Sequence, residues 1–137
     1  MMSLNSTGVD DNFYIACESG DINTVKRLIP DLVDIDKKNS KGWSGLIMAA
    51  FNGHVDIVSV LIDNGANVND KNYNGTTVFM YAKDSVLRTK DYRILDLLIE
   101  RGADINARDN KGLSALDYIK KNKYIDLIDY MLSKKAQ

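Results

Sequence analysis

One stretch of this chain recurs, and the recurrence limits what the chain can become. Gly42-Trp-Ser-Gly-Leu-Ile-Met-Ala-Ala50 is followed by Gly53-His54 and closed by Asn64-Gly-Ala-Asn-Val-Asn69. It returns as Gly75-Thr-Thr-Val-Phe-Met-Tyr-Ala82, 33 residues later, and again as Gly112-Leu-Ser-Ala-Leu-Asp-Tyr-Ile119, a further 37 residues on. A period of this size belongs to a solenoid. Each unit is too small to bury its own apolar face, so a core exists only where units stack.

Within the second unit, Ser44 is placed to cap a helix, because its hydroxyl can accept from an unpaired N–H of the first turn. Leu46, Ala49 and Ala50 give that helix a thin face that a neighbour can approach closely. Gly53-His54 makes a turn. Val55, Val58, Leu61 and Ile62 then recur at helical spacing, and Gly65 can take the left-handed conformation that ends the helix. The Asn-, Asp- and Gly-rich run from Ala66 to Gly75 has the chemistry of a hairpin turn. The third unit repeats this plan with Thr77 as cap and Ile94, Leu95, Leu98 and Ile99 as stripe. Its four extra residues fall between Lys83 and Tyr92, as a longer helix end, a longer loop, or both. In the first unit Ala16 and Gly20 precede Ala49 and Gly53 by 33 residues, Pro30 closes the second helix, and Leu32 stands where a glycine is expected. The last unit carries Ser114 as cap, a stripe from Leu116 to Leu132, and a lysine-rich outer face suited to a terminal repeat. The units are therefore set at about 11–41, 42–74, 75–111 and 112–137, with 1–10 as a mobile leader or cap.

Composition removes several functions. A formal net charge of −1 supplies no general electrostatic grip on nucleic acid or an anionic membrane. No apolar run approaches a membrane span, and the N-terminus has neither the basic nor the apolar region of a signal peptide. The lone Cys17 cannot form an internal disulfide, which makes a reducing cytoplasm the expected compartment.

This organisation resembles the ankyrin repeat over nearly all of residues 11–137. The family's Thr-Pro-Leu-His opening is softened here. Ser44, Thr77 and Ser114 keep the hydroxyl cap; Gly45, Val78 and Ala115 replace the proline; Ile47, Met80 and Asp117 replace the histidine. The resemblance implies an all-α solenoid of about four helix-turn-helix units joined by hairpin-like turns. It also implies a non-enzymatic module that binds another protein through a concave face lined by turn tips and first helices. On that face it places Trp43, Phe51 and Tyr73 as anchors, because Trp and Tyr dominate interface hot spots. Ser40, Lys41, Asn52, Asn74, Thr76, Asn110, Lys111 and Leu113 would form the rim. The alternative is that Trp43 and Phe51 pack on each other or on a neighbouring repeat. With no second domain legible, the chain is expected to act as a monomer that occupies its partner, as an inhibitor, antagonist or assembly factor. A toxin-neutralising immunity role in a microbe is one specific version.

Other constellations fall to blander readings. Asp70-Lys-Asn-Tyr-Asn-Gly75 opens like a calcium loop, but Tyr81 occupies the position of the bidentate glutamate, so no metal is expected. Asn5-Ser6-Thr7 and Asn74-Gly75-Thr76 fit the glycosylation pattern, the first by chance and the second as a turn. His54, the only histidine, is expected to be structural, and Cys17 a small core residue. No catalytic residue and no cofactor are expected, since no phosphate loop or zinc-like spacing is present. An enzyme or small-molecule binder would need convergent titratable groups in a pocket. A purely architectural role would require self-association. The charged run from Asp84 to Arg93 is either a docking element or a solvated loop.

Overall fold

A computed structural model describes residues 6–136. These residues form eight α-helices in four antiparallel pairs: α1 (Ser6–Ser19) with α2 (Ile22–Leu28), α3 (Gly45–Phe51) with α4 (Val55–Asp63), α5 (Val78–Thr89) with α6 (Arg93–Glu100), and α7 (Ala115–Lys121) with α8 (Ile125–Ser133). Among the described residues the only β pairing is two isolated bridges, Lys71 with Thr77 and Arg108 with Ser114, at the necks of the turns. Among the described residues no helix is long and apolar enough to cross a membrane. Residues 1–5 of the expected leader lie outside the described residues. Residues 6–10 form the first turns of α1, where Asp10 is buried and ion-paired to Lys37 at 3.0 Å.

The helix starts follow from the hydroxyl caps. Ser44, Thr77 and Ser114 each hold an extended backbone, and each accepts at 3.2 Å from the N–H three residues on. Asp117 completes a capping box by accepting from the Ser114 N–H at 2.9 Å. The turn tips share one device. Asn39, Asn72 and Asp109 each accept two backbone N–H groups with one side-chain oxygen: from Lys41 and Trp43, from Asn74 and Thr76, and from Lys111 and Leu113. Asp36 and Asn69 repeat the logic between units, accepting from the N–H of Asn67 and of Asp104.

Helices α1, α3, α5 and α7 form an inner layer and the other four an outer one. Ala49, Ala50 and Ala82 are fully buried, and their small side chains let inner helices approach. Gly45, where the resemblance leads one to look for proline, has a specific cause. A Cβ there would lie 2.4 Å from the Phe13 ring, which seats directly on the first turn of α3. His54 ties units together: its Nε2 lies 2.9 Å from the Glu18 carbonyl oxygen, and its ring packs on Gly20. Cys17 is fully buried, and burial pushes its thiol up to about 12.

Two details of the chain trace go beyond the spacing. Helix α2 ends at Leu28 and passes into a 3-10 turn, Ile29–Asp31, that contains Pro30. The four extra residues of the third unit lengthen a helix: α5 has 12 residues where α3 and α7 have 7. It stops at Lys90, which takes a left-handed conformation with φ 62°.

Candidate functional site

Three ring-bearing side chains at α3 and α5, those of Trp43, Phe51 and Tyr81, keep part of their surface outside the core, whereas Phe13 and Phe79 are buried in it. Trp43 and Phe51 are half-buried, and both pack on Tyr81 of the next unit. The ring centroids lie 6.2 Å apart for Trp43–Tyr81 and 6.0 Å apart for Phe51–Tyr81, at steep angles of 72° and 89°. This edge-to-face arrangement is the favoured one for aromatic pairs. The Tyr81 hydroxyl accepts from the Asn72 amide at 2.8 Å, which fixes the central ring against the turn. Between the rings lies a cleft of about 70 Å³, completed by Glu18, Ile47, Met48 and Asn52.

Cations of the chain flank this cluster. The Lys41 ammonium lies 5.8 Å from the Trp43 ring centre, and the Arg88 guanidinium 4.8 Å from that of Phe51. Arg88 also donates to the Phe51 carbonyl. One repeat further on, Tyr118 occupies the place of Tyr81. Its hydroxyl donates to Asp109, and the Lys83 ammonium lies 5.2 Å from its ring centre. The bond to Asp109 raises the Tyr118 phenol above its ordinary value. Lys83 is nearly buried and pairs with Asp84 at 3.1 Å. A second cleft, of about 240 Å³, lies here between α5 and α7 beside Thr76, Met80 and Asp109.

The structure gathers the expected residues into three groups. Trp43, Phe51 and Asn52 share the aromatic cleft. Trp43, Thr76 and Leu113 hold the same half-buried position in three successive units. Ser40, Lys41, Tyr73, Asn74, Asn110 and Lys111 are exposed on three turn tips. Tyr73 does not join Trp43 and Phe51: it is 66% exposed and lies over Gly42 of the preceding tip. Asn110 donates from its side chain to the Tyr73 carbonyl and from its N–H to the Asn74 carbonyl, each at 3.0 Å, so part of the expected rim is spent joining tips. Asn52 likewise donates to its own helix, at the Met48 carbonyl.

Sequence reasoning missed Tyr81, Tyr118, Arg88 and Glu18. The two tyrosines were findable, because they repeat the position of Met48. Arg88 was not, since its reach to Phe51 depends on the added turn of α5. The calcium-like string is committed to the fold. Asp70 is buried and bonded to the Lys38 ammonium at 2.9 Å, and Asn72 holds its turn.

The family model for ankyrin repeats (3 copies) matches residues 13–109. Similar curated proteins include the tyrosine-protein kinase HTK16 of Hydra vulgaris, 37% identical over 73 residues, covering 51% of this chain and 10% of the kinase. The ankyrin repeat, SAM and basic leucine zipper domain-containing protein 1 of Carollia perspicillata is 37% identical over 60 residues, covering 44% of this chain and 13% of that protein. The ankyrin repeat and MYND domain-containing protein 1 of Mus musculus is 36% identical over 70 residues, covering 50% and 8%. The chain thus spans 8% to 13% of the length of these relatives.

Proposed function

The chain belongs to the ankyrin repeat family, whose repeats are protein-protein interaction modules, and from that premise we propose that it binds a partner protein through the face built by α1, α3, α5, α7 and the turn tips. One observation carries this reading: Trp43, Phe51 and Tyr81 lie together half-buried around an open cleft, on rings held by their own contacts. Half-buried aromatics in a preformed cleft can bury further area against a partner with little loss of side-chain freedom. Lys41, Tyr73, Asn74, Thr76, Asn110, Lys111 and Leu113 would supply the polar and apolar surround.

A rigid face of this kind acts by covering a surface of its partner. That suits a non-enzymatic inhibitor, antagonist or assembly factor acting as a monomer in a reducing compartment, where the buried Cys17 stays a thiol. The test compares wild type with the Trp43→Ala/Phe51→Ala double variant as bait, with both shown folded by circular dichroism and monomeric by sedimentation. The variant is expected to bind the captured protein at least about 30-fold more weakly, the effect of losing one hot spot of about 2 kcal/mol. Undiminished binding by the folded variant would remove this face as the site.

A further inference from the structure

One charged residue lines the aromatic cleft, and its sign is informative. Of the seven residues that line it, only Glu18 is charged. Its carboxylate is exposed at the end of α1, with no ion pair or hydrogen bond among the described residues. The rest of the wall is Trp43, Phe51, Tyr81, Met48 and Ile47, with the Asn52 amide already donated to Met48. We propose that this cleft seats an alkylammonium head group carried by the partner: the end of a lysine side chain or of its N-methylated form. The inference rests on reading the same face as the partner surface, and it adds the chemistry of the group that enters.

The argument is one of complementarity. An aromatic ring presents negative potential on its face, and cations favour a position within about 6 Å of the ring centre. The Trp43 and Phe51 planes stand at 72° and 89° to Tyr81, so neither ring lies face to face on it. The three rings wall a space of about 70 Å³, room for one small head group and little more. A neutral apolar group could fill that volume, but it would strip water from Glu18 without replacing it. An anion would meet a lining whose one charged residue is acidic. A cation satisfies both the rings and Glu18, and methylation lowers the hydration a lysine must shed on entering.

The chain's own cations do not contradict this. Lys41 and Arg88 lie over Trp43 and Phe51, so these rings already accept positive charge, and neither cation lines the cleft. Both residues are exposed, where salt screens their repulsion.

The test uses the whole chain and small probes. Trp43 is the only tryptophan, so its indole N–H signal in NMR reports the cleft alone. Choline, n-butylammonium and 3,3-dimethylbutan-1-ol, the uncharged analogue of choline with the same shape, are titrated in turn. Choline is expected to shift the indole signal, and the uncharged analogue to bind about tenfold more weakly. Glu18→Gln, an exposed substitution, should weaken choline severalfold, while Asp129→Asn on α8 leaves it unchanged. A response to n-butylammonium as well assigns the site to unmodified lysine also; a response to choline alone assigns it to the methylated form. Equal binding of choline and its uncharged analogue, no effect of Glu18→Gln, or no shift of the indole would overturn the head-group assignment. That failure is separate from failure of the binding face. Should choline fail while partner capture still depends on Trp43, the face stands and the head group falls. Should choline bind while capture ignores Trp43, the partner site lies elsewhere.

Discussion

Where α3 meets α5, the inner layer is closed; where α5 meets α7, the same repeat leaves a gap. At the first seam Ala49, Ala50 and Ala82 are fully buried, and α3 and α5 lie together over most of their length. At the second, the repeat position of Ala50 is held by Lys83 and then Lys120. The Lys83 stem and the Tyr118 ring stand between the helices, and α5 meets α7 only lightly. The outer layer opens too, into a groove of about 980 Å³ beside Leu87, Tyr92, Tyr124, Ile125 and Tyr130. Here side chains tie α6 to α8 at the surface: the Tyr92 and Tyr130 rings lie 4.9 Å apart, and the Tyr130 hydroxyl donates to Asp96 at 2.5 Å. One side-chain size, at one repeated position, decides whether a seam becomes core or surface. Small residues give contact over an area; large polar ones give separate rivets with space between them.

If the first seam is the centre of stability, the largest effect belongs to Leu46→Ala on α3. The side chain is fully buried, and its loss is expected to cost about 2–5 kcal/mol in urea unfolding. Met131 is equally buried but belongs to the last pair. Met131→Ala should cost less and act mainly on α7 and α8, seen as faster amide exchange there before the rest of the chain opens. Equal losses with global opening in both variants would break the contrast between the seams.

The caps sharpen it at smaller scale. Ser44 and Ser114 make the same bond in equally buried settings, so each →Ala change is expected to cost about 1 kcal/mol. Ser44→Ala should be felt throughout the unfolding transition, whereas Ser114→Ala, which also breaks a capping box, should be felt chiefly in exchange of α7 and α8. The reverse pattern would place the weak seam on the wrong side of α5.

The repeat, the caps and the left-handed turn glycines were legible because each is a local demand on one residue type at one spacing. Ser44, Gly53 and Gly65 declare themselves. The extra four residues were legible as an insertion but not as helix, since nothing between Asp84 and Lys90 forbids either outcome. The site was legible where it repeats and illegible where it depends on neighbours. Trp43 and Phe51 stand out by type and place. Their partner Tyr81 is visible only when three units are aligned at Met48. Glu18 and Arg88 reach the site from other units, by packing that no spacing encodes. Tyr73 looked equivalent to Trp43, yet Gly42 offers its ring a flat seat on the preceding tip, and it lies there.

The left-handed turns offer a stabilising test. In the first two units this position is Gly20 and Gly53; in the last two it is Lys90 and Lys123, with φ of 62° and 59°. A side chain in that conformation costs about 1–2 kcal/mol, part of which glycine returns through its freer unfolded chain. Lys123→Gly is therefore expected to gain no more than about 1 kcal/mol, and to slow amide exchange in α7 and α8. Faster exchange there would mean that Lys123 contributes a contact that outweighs its strain.

The smallest effect is electrostatic, and it has opposite signs at the two ends of the molecule. Burial pushes the Asp109 carboxyl upward, but the Tyr118 hydroxyl and the N–H groups of Leu113 and Lys111 outweigh it and hold it below the usual range. The Ser114 N–H does the same for Asp117, against a smaller burial effect. Carboxyls lowered by folding stabilise the native state above the unfolded value of about 3.9, and that contribution is lost as pH falls through their folded values. Asp36, between the first two units, runs the other way, because burial raises it despite its bond from the Asn67 N–H. Its native form takes up a proton more readily than the unfolded chain, so acid favours folding there. Lowering the pH below about 4 should thus loosen α7 and α8 first, while Trp43 fluorescence, which reports the first seam, stays native. Asp109→Asn should remove part of that acid sensitivity, and Asp36→Asn should leave it in place. Trp43 and the α8 amides responding together, at one pH and in all three proteins, would show that the two seams open as one.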